Sequence, residues 1–251
     1  MQLTIDKRTV VARKGEYLLE VAQRNSIEIP TLCHHPAVEP WGGCRLCMVE
    51  ITHPDWKGWT GLVTACLYPV QDGLIVSTNT EKVHQVRAGV LDLLLARCPE
   101  SSLIQNLAWQ YGIEKTSYAP RKAPDLCILC GLCVRICEKI GASAISSIGR
   151  GVEKLVSVPY ETSVSAACVG CLSCANICPT GAISFSESDH CRTIWSRNFE
   201  LVRCEECKTV IGTPEQLEHF AQRSGLDRSY FTKCDSCRNR EAAARFVRVT
   251  F

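Results

Sequence analysis

Cysteine thiols are the groups in this chain with the clearest chemistry. There are 18 of them in 251 residues, and sixteen fall into four sets of four. Cys33, Cys44, Cys47 and Cys66 are spaced C-x10-C-x2-C-x18-C. Cys127, Cys130, Cys133 and Cys137 read C-x2-C-x2-C-x3-C, and Cys168, Cys171, Cys174 and Cys178 repeat that pattern 41 residues later. The last set is two pairs, Cys204-x2-Cys207 and Cys234-x2-Cys237, separated by 26 residues. Cys98 and Cys191 stand alone. The first ten residues carry Asp6, Lys7 and Arg8 ahead of any apolar run, which argues against a signal peptide. A cytoplasmic setting is expected, in which thiols stay reduced. Reduced thiols at these spacings read as metal ligands.

The repeat is the most specific of these signals. Three cysteines two residues apart wrap a loop around one corner of a cubane, and the fourth, three residues on, points away from it. In two-cluster ferredoxins that fourth cysteine ligates the other cluster. The spacing therefore predicts one [4Fe–4S] cluster on Cys127, Cys130, Cys133 and Cys178, and a second on Cys137, Cys168, Cys171 and Cys174. Pro179 after Cys178 fits the bacterial pattern, whereas Glu138 stands where a second proline would be. Small residues at Gly131, Gly170, Ser173 and Ala175 leave backbone N–H groups free to bond the sulfurs. A pair of zinc sites fits poorly, because zinc motifs do not crowd four cysteines in this way.

The N-terminal set reads as a [2Fe–2S] site on Cys33, Cys44, Cys47 and Cys66, although its gap of 10 is longer than the plant-type C-x4-C-x2-C. Gly42 and Gly43 let the backbone pass close to inorganic sulfide. His34, His35 and His53 form no Cys-x-His pairing of the Rieske kind and are expected to be solvated loop residues. For Cys204, Cys207, Cys234 and Cys237 three readings stay open: two knuckles gripping one zinc ion, a further [4Fe–4S] cluster, or no metal. The gap of 26 exceeds the usual 15–20 of zinc knuckles. A helical insert over 213–228 and the acidic Glu205, Glu206 and Asp235 favour zinc, which would staple a segment with little core of its own. Cys191 reads as a spare thiol.

Other elements must hold these loops. Leu3–Ile5 and Val10–Val11 around Asp6-Lys7-Arg8 signal a hairpin. Glu16–Asn25 puts Leu18, Leu19 and Ala22 on one helical face, closed by Pro30. Strands are expected at Met48–Thr52, Gly61–Thr64 and Leu74–Ser77, which makes residues 1–80 an α+β module around a cysteine loop. Residues 81–122 look helical, with Val83, Val86, Val90 and Leu94 at three- and four-residue steps. Arg121-Lys122-Ala123-Pro124 marks a boundary. Residues 123–186 hold the repeat, and 187–251 form a polar metal-binding tail. Hydrophobic residues make up 46% of the chain, and no run reaches the ~20 apolar residues of a membrane helix. A formal charge of +2 gives no reason to expect nucleic acid. Three clusters and a zinc ion, at about −2 each with their thiolates, would take that charge to about −6. Some of the 28 Lys and Arg residues offset it. Arg238, Arg240, Arg245 and Arg248 either dock an acidic partner or lie on a solvated helix. No G-x-G-x-x-G follows a strand, and no P-loop or nucleophile elbow is present.

Three segments carry a family resemblance: Thr31-Leu-Cys-His-His-Pro36, Gly43-Cys-Arg-Leu-Cys-Met-Val-Glu50 and Thr64-Ala-Cys66. They resemble the N-terminal [2Fe–2S] domain of the complex I 75-kDa-type subunit. The same module occurs in the small diaphorase subunit of NAD-reducing hydrogenases, in iron-only hydrogenases and in NAD-linked formate dehydrogenases. Cys127–Glu138 is similar to that family's double-cubane domain. The resemblance covers roughly residues 1–186. It implies a ferredoxin-like β-grasp domain, a helical linker and a bacterial-ferredoxin-type domain, ahead of the zinc-ribbon-like tail. In that family a further cubane sits on His-x3-Cys-x2-Cys-x5-Cys after a Leu-Leu-Leu-Ala run. Here Leu93–Ala96 is followed by Cys98 alone, so that cluster is expected to be lost and Cys98 to be a buried thiol.

The resemblance implies an electron-transfer subunit of a soluble NAD(P)H-linked oxidoreductase with two partners. One is a flavin- and NAD(P)-binding subunit, and the other is a catalytic subunit such as a hydrogenase, a formate dehydrogenase or another molybdenum or tungsten enzyme, in an assembly that could also be electron-bifurcating. No side chain is then an acid, base or nucleophile. Two alternatives are a structural protein with stabilising clusters and a partner-recruiting zinc ribbon, and a free-standing polyferredoxin.

Overall fold

The computed structural model describes residues 1–120, 126–158 and 166–249; the boundary expected at 121–124 lies outside them. The chain divides into two units, Met1–Ile136 with Ile177–Ala182, and Cys137–Asn176 with Ile183–Phe251. The divide runs through the cysteine repeat. Cys127, Cys130, Cys133 and Cys178 fall in the first unit, and Cys137, Cys168, Cys171 and Cys174 in the second.

In the first unit, β1 (Gln2–Ile5) and β2 (Arg8–Val11) form a hairpin. Asp6 and Lys7 both take positive φ at its turn, the geometry that matches strand twist in two-residue hairpins. The Asp6 carboxylate also accepts the Thr78 N–H at 2.8 Å, tying the end of a later strand to this turn. Helix α1 (Leu18–Arg24) starts where the Tyr17 N–H is donated to Glu20. It buries Leu18, Leu19, Val21 and Ala22 completely. Strands β3 (Met48–Thr52), β4 (Thr60–Thr64) and β5 (Ile75–Ser77) complete a five-stranded sheet of order β2-β1-β5-β3-β4. Only β1 and β5 pair in parallel among its described strands. One core lies between this sheet and α1.

Residues 81–118 are two helices rather than one run. Helix α2 (Glu81–Arg97) is capped by Thr80 and ends at Cys98, before Pro99, and α3 (Ser102–Gln110) follows. Pro99 ends the helix because its ring excludes the residue before it from helical geometry. The buried seam is Val83, Arg87, Leu91 and Leu95, one position away from the expected Val86, Val90 and Leu94. Arg87 holds its place there by donating to the Met48 carbonyl at 2.7 Å and to the Tyr111 hydroxyl at 3.3 Å. A second core joins Leu91, Leu95, Cys98, Ile104 and Ala108 to Leu32, Cys33, Leu46, Ile128 and Cys130. The helical pair is therefore the floor on which two cysteine loops rest, and Cys98 is a fully buried part of it.

Helix α4 (Leu132–Lys139) carries the chain from the first unit into the second. There β6 (Ser146–Ile148) and β7 (Leu155–Ser157) pair, and α5 (Ser173–Asn176) follows the next cysteine loop. Strands β8 (Phe185–Glu187), β9 (Cys191–Ile194) and β10 (Arg197–Glu200) form a meander, with Trp195 and Ser196 both left-handed at the last turn. Strands β11 (Val202–Arg203) and β12 (Val210–Gly212) flank the third cysteine pair. The expected helix over 213–228 is α6 (Pro214–Ser224), started by Thr213 and Pro214 and stopped by Gly225 at φ +69°. Helix α7 (Asp235–Val249) closes the chain. No described helix is long and apolar enough to cross a membrane.

Leu91 is fully buried in the core beneath both cysteine loops. Leu91→Ala is expected to cost about 2–5 kcal/mol, lowering the melting temperature of the loaded protein by roughly 5–15 °C. Thermal melts followed by circular dichroism check this.

Candidate cluster and metal sites

The four N-terminal thiols are arranged as two close pairs. Cys47 and Cys66 sulfurs lie 3.4 Å apart, and Cys33 is hydrogen-bonded to Cys44, whose N–H also reaches the Cys33 sulfur at 3.3 Å. Within each pair one thiol donates to the other, which pulls Cys44 and Cys47 down and pushes Cys33 and Cys66 up. A sulfur pair near the edge length of a tetrahedron beside a second, hydrogen-bonded pair suits two bridged metal ions better than one. Gly42, at φ +67°, lies so near Leu67 that a Cβ would come within 2.5 Å of its Cδ1. A Cβ on Gly43 would strike the Trp41 ring at 2.6 Å. The glycines thus make room for the side chains covering the loop. His53 is no solvated residue: its ring accepts the Asp55 N–H and contacts the Asp72 carbonyl. His34 is half-buried, which lowers its pKa, while His35 is exposed.

The two repeat loops share a backbone conformation that their sequences hide. Positive φ occurs two and four residues after the first cysteine of each loop: at Leu129 and Gly131 in one, at Gly170 and Leu172 in the other. Left-handed residues flanking a cysteine in a tight loop can turn nearby N–H groups to one side, as in a nest for an anionic group. Leu132 N–H reaches Cys130 and Gly170 N–H reaches Cys168. The later cysteines receive Ala144 N–H on Cys137 at 3.2 Å and Ala182 N–H on Cys178 at 3.3 Å. Cys130 sits within electrostatic reach of Cys127 and Cys178, and Cys137 within reach of Cys171. Burial disfavours the thiolate and pushes the Cys130 and Cys174 thiols up to about 11 each.

Arginines recur at these loops. The carbonyl of the first cysteine of each accepts a guanidinium: Arg135 on Cys33 at 2.7 Å, Arg97 on Cys127 at 2.7 Å and Arg197 on Cys168 at 2.8 Å. Arg135 bonds the Glu39 carbonyl as well and stacks on Trp41 at 5.7 Å. Trp41 also packs over Gly131. Arg135 and Trp41 therefore fasten the N-terminal loop to the first repeat loop. No sequence signal marks these arginines, because their partners are backbone carbonyls.

The tail set is tighter. Cys204, Cys207, Cys234 and Cys237 offer sulfurs that all lie within 4.8 Å of one another. Among the described residues no other group of three or more ligand-type side chains draws together this closely. At Zn–S distances near 2.3 Å, tetrahedral sulfurs are about 3.8 Å apart, and Cys207 and Cys234 are at 3.5 Å. Such an array fits a single ion. Backbone N–H groups of Cys207 and Cys234 hold the Cys204 thiol down to about 6, the Thr209 hydroxyl lowers Cys207, and burial pushes Cys237 up to about 12. The neighbouring acids are paired, Glu206 with Lys233 at 2.8 Å and Asp235 with Arg238. Arg238 also stacks on Tyr230 at 4.2 Å, and Arg240 reaches the Cys237 sulfur at 2.9 Å. These two arginines build the tail, and Arg245 pairs with Glu241.

Binding an ion to four thiolates must expel the Cys237 proton. Zn2+ affinity of the metal-free tail site is therefore expected to rise with pH, by at least about tenfold per unit above pH 7. Below about 6 it should fall more steeply, as Cys204 also protonates. Competition with a chromophoric chelator across that range measures it.

Residues 1–81 match the model of a 2Fe-2S iron-sulfur cluster binding domain, and residues 164–184 that of a 4Fe-4S binding domain. The chain is 32% identical to an NADH-quinone oxidoreductase subunit of Rhizobium meliloti over 73% of its own length and 24% of the relative's. It is 29% identical to the alpha subunit of an NADPH-Fe(3+) oxidoreductase of Geobacter sulfurreducens over 91% of its length and 29% of that protein's. The chain thus spans about a quarter to a third of the curated relatives it matches. A solved NAD+-reducing [NiFe]-hydrogenase in the H2-reduced state superposes with a TM-score of 0.62 at 29% identity, covering 72% of this chain and 85% of that one. Mitochondrial 78 kDa subunits of NADH-ubiquinone oxidoreductase match as well. The chain is thus similar to part of the complex I 75/78-kDa-type subunits and of NAD(P)-linked hydrogenase proteins, and its N-terminal residues match a 2Fe-2S iron-sulfur cluster binding domain.

Proposed function

We propose that this chain is the iron–sulfur electron-transfer subunit of a multi-subunit NAD(P)H-linked oxidoreductase. It relays single electrons between a flavin- and NAD(P)-binding partner and a catalytic subunit in the cytoplasm. The observation that supports it most is the grouping of twelve cysteines. Among the described residues no three thiols of the N-terminal set or of the repeat sets draw as close as the tail four, and backbone N–H groups reach sulfurs in each set. The relatives, named for NADH- and NADPH-linked reactions, support the same reading. On it, residues 1–80 are a β-grasp [2Fe–2S] domain, 81–122 a helical linker without a cluster, 123–186 a two-cubane ferredoxin-like domain and 187–251 the metal-bound tail.

Cys33 with Cys44, and Cys47 with Cys66, would hold the two irons of the [2Fe–2S] centre. Cys127, Cys130, Cys133 and Cys178 would hold one [4Fe–4S] cluster, and Cys137, Cys168, Cys171 and Cys174 the other. Such clusters, when bound, take up and release one electron each at potentials set by burial and N–H···S bonds. The chain's own residues supply those bonds, exclude water and fix the loops through Arg97, Arg135 and Arg197. The tail site is read as zinc, since four irons between its sulfurs would force them further apart than 4.8 Å.

Anaerobically purified protein is expected to contain about ten iron and one zinc per chain, with three reducible clusters by EPR. About fourteen iron and no zinc would replace the zinc reading by a third cubane. Iron far below ten in fully loaded protein, or clusters that do not titrate reversibly, would overturn the relay. In Arg135→Gln the charge-assisted bonds to the Cys33 and Glu39 carbonyls, about 1.5–3 kcal/mol, are lost. Chelator-driven bleaching of the [2Fe–2S] visible dichroism is then expected to run roughly tenfold faster, with tail zinc unchanged.

A further inference from the structure

Nothing in the relay accounts for how closely residues 187–251 grip the second repeat loop. Three consecutive carbonyls of that loop accept tail side chains: Cys168 from Arg197 at 2.8 Å, Val169 from the Thr213 hydroxyl at 2.6 Å, and Gly170 from Arg192 at 2.7 Å. Arg192 and Thr213 are themselves buried. The Phe199 ring lies on Gly170, where a Cβ would come within 2.8 Å of it, and Arg197 stacks on the same ring at 4.5 Å. With its carbonyls turned to the tail, the loop keeps its N–H groups for the sulfurs.

Trp195, at the left-handed turn between β9 and β10, closes this arrangement. It lines one small cavity with Cys137, Cys168, Cys171 and Cys174. Its Nε1 is buried and makes no conventional hydrogen bond. The Cys174 sulfur is an acceptor within the same cavity. An N–H beside a buried sulfur with no oxygen acceptor is costly unless the sulfur is charged.

We propose that the β9–β10 hairpin is a lid over the Cys137, Cys168, Cys171 and Cys174 site, and that Trp195 tunes the cluster there by donating its indole N–H to the Cys174 sulfur. This rests on the reading of those four cysteines as cubane ligands. A donated N–H stabilises the more negative, reduced cluster, so it raises the midpoint potential.

The test compares full-length loaded protein with Trp195→Phe, which keeps the ring and removes the donor. EPR-monitored titration should show one cubane midpoint moving to more negative potential. At fixed potential the reduced-to-oxidised ratio of that cubane should fall by up to about tenfold, which is 59 mV for one electron. The other cubane and the [2Fe–2S] centre should stay in place. Pulsed EPR in H2O and D2O should show an exchangeable proton coupled to the affected cubane in the unmutated protein and missing in the variant. Two cubanes with unchanged midpoints and unchanged proton couplings would overturn the proposal. If the variant does not hold its clusters, 15N-indole labelling of unmutated protein decides, and no 15N coupling on either reduced cubane overturns it. Iron near six per chain, with a single cubane signal, would instead overturn the cluster assignment of the site, and the lid with it.

Discussion

A sulfur ligand cannot be placed by regular secondary structure alone, and most of this molecule follows from that constraint. Four thiolates around a cluster form a buried anion, which needs N–H groups aimed inward from several directions at once. Helix and strand spend their N–H groups on themselves. The cysteine loops therefore place left-handed residues on both sides of a cysteine, at Leu129 and Gly131 around Cys130 and at Gly170 and Leu172 around Cys171. Loops of this kind have little stability of their own, so each has to be fastened from outside. Arg135, Arg97 and Arg197 do this at equivalent carbonyls. A guanidinium suits that role because it is always charged and its forked donors fix orientation.

The two units meet this need with different material. In the first, the sheet, α1 and the α2–α3 pair supply two continuous cores, and the cysteine loops are laid over them. Among its described residues the second unit has short strands, the helices α6 and α7, and a small apolar interior that includes Ile145, Ile194, Phe199 and Ala221. A structural metal fits that shortage, since ion binding adds folding energy where apolar burial is limited. The Lys233 ammonium between Glu206 and Glu241 adds a charged clasp beside the four thiols.

Much of this was legible in the sequence because cysteine spacing is itself a geometric statement. The same holds for the first hairpin, β3 and α1, whose patterns of two and of three to four residues match their burial. What stayed hidden has a common physical origin. Leucine at a left-handed position leaves no compositional trace, and arginines that serve backbone carbonyls have no partner side chain to form a pattern with. Arg87 entered the buried seam of α2 because a main-chain carbonyl and a tyrosine hydroxyl were waiting for it, so a purely apolar periodicity landed one residue away. The β9–β10 turn carries Trp-Ser in place of the Asn-Gly that announces such hairpins. The tail's hold on the second repeat loop leaves little trace in the sequence, because three of its contacts run from polar side chains to backbone carbonyls.

The distribution of Cys137 and Cys178 also constrains how the protein is made. On the proposed ligation, the site begun by Cys127 lacks its last thiol until Cys178 has been translated, and the site that includes Cys137 lacks one until Cys174. Both become complete within four residues of each other, some fifty residues after the first ligand leaves the ribosome. Neither half of the repeat can be charged as a finished module while the other is still being synthesised. On that ligation, cluster delivery to this region would be a late, nearly simultaneous event in biogenesis, whereas the N-terminal thiols through Cys66 would be available much earlier.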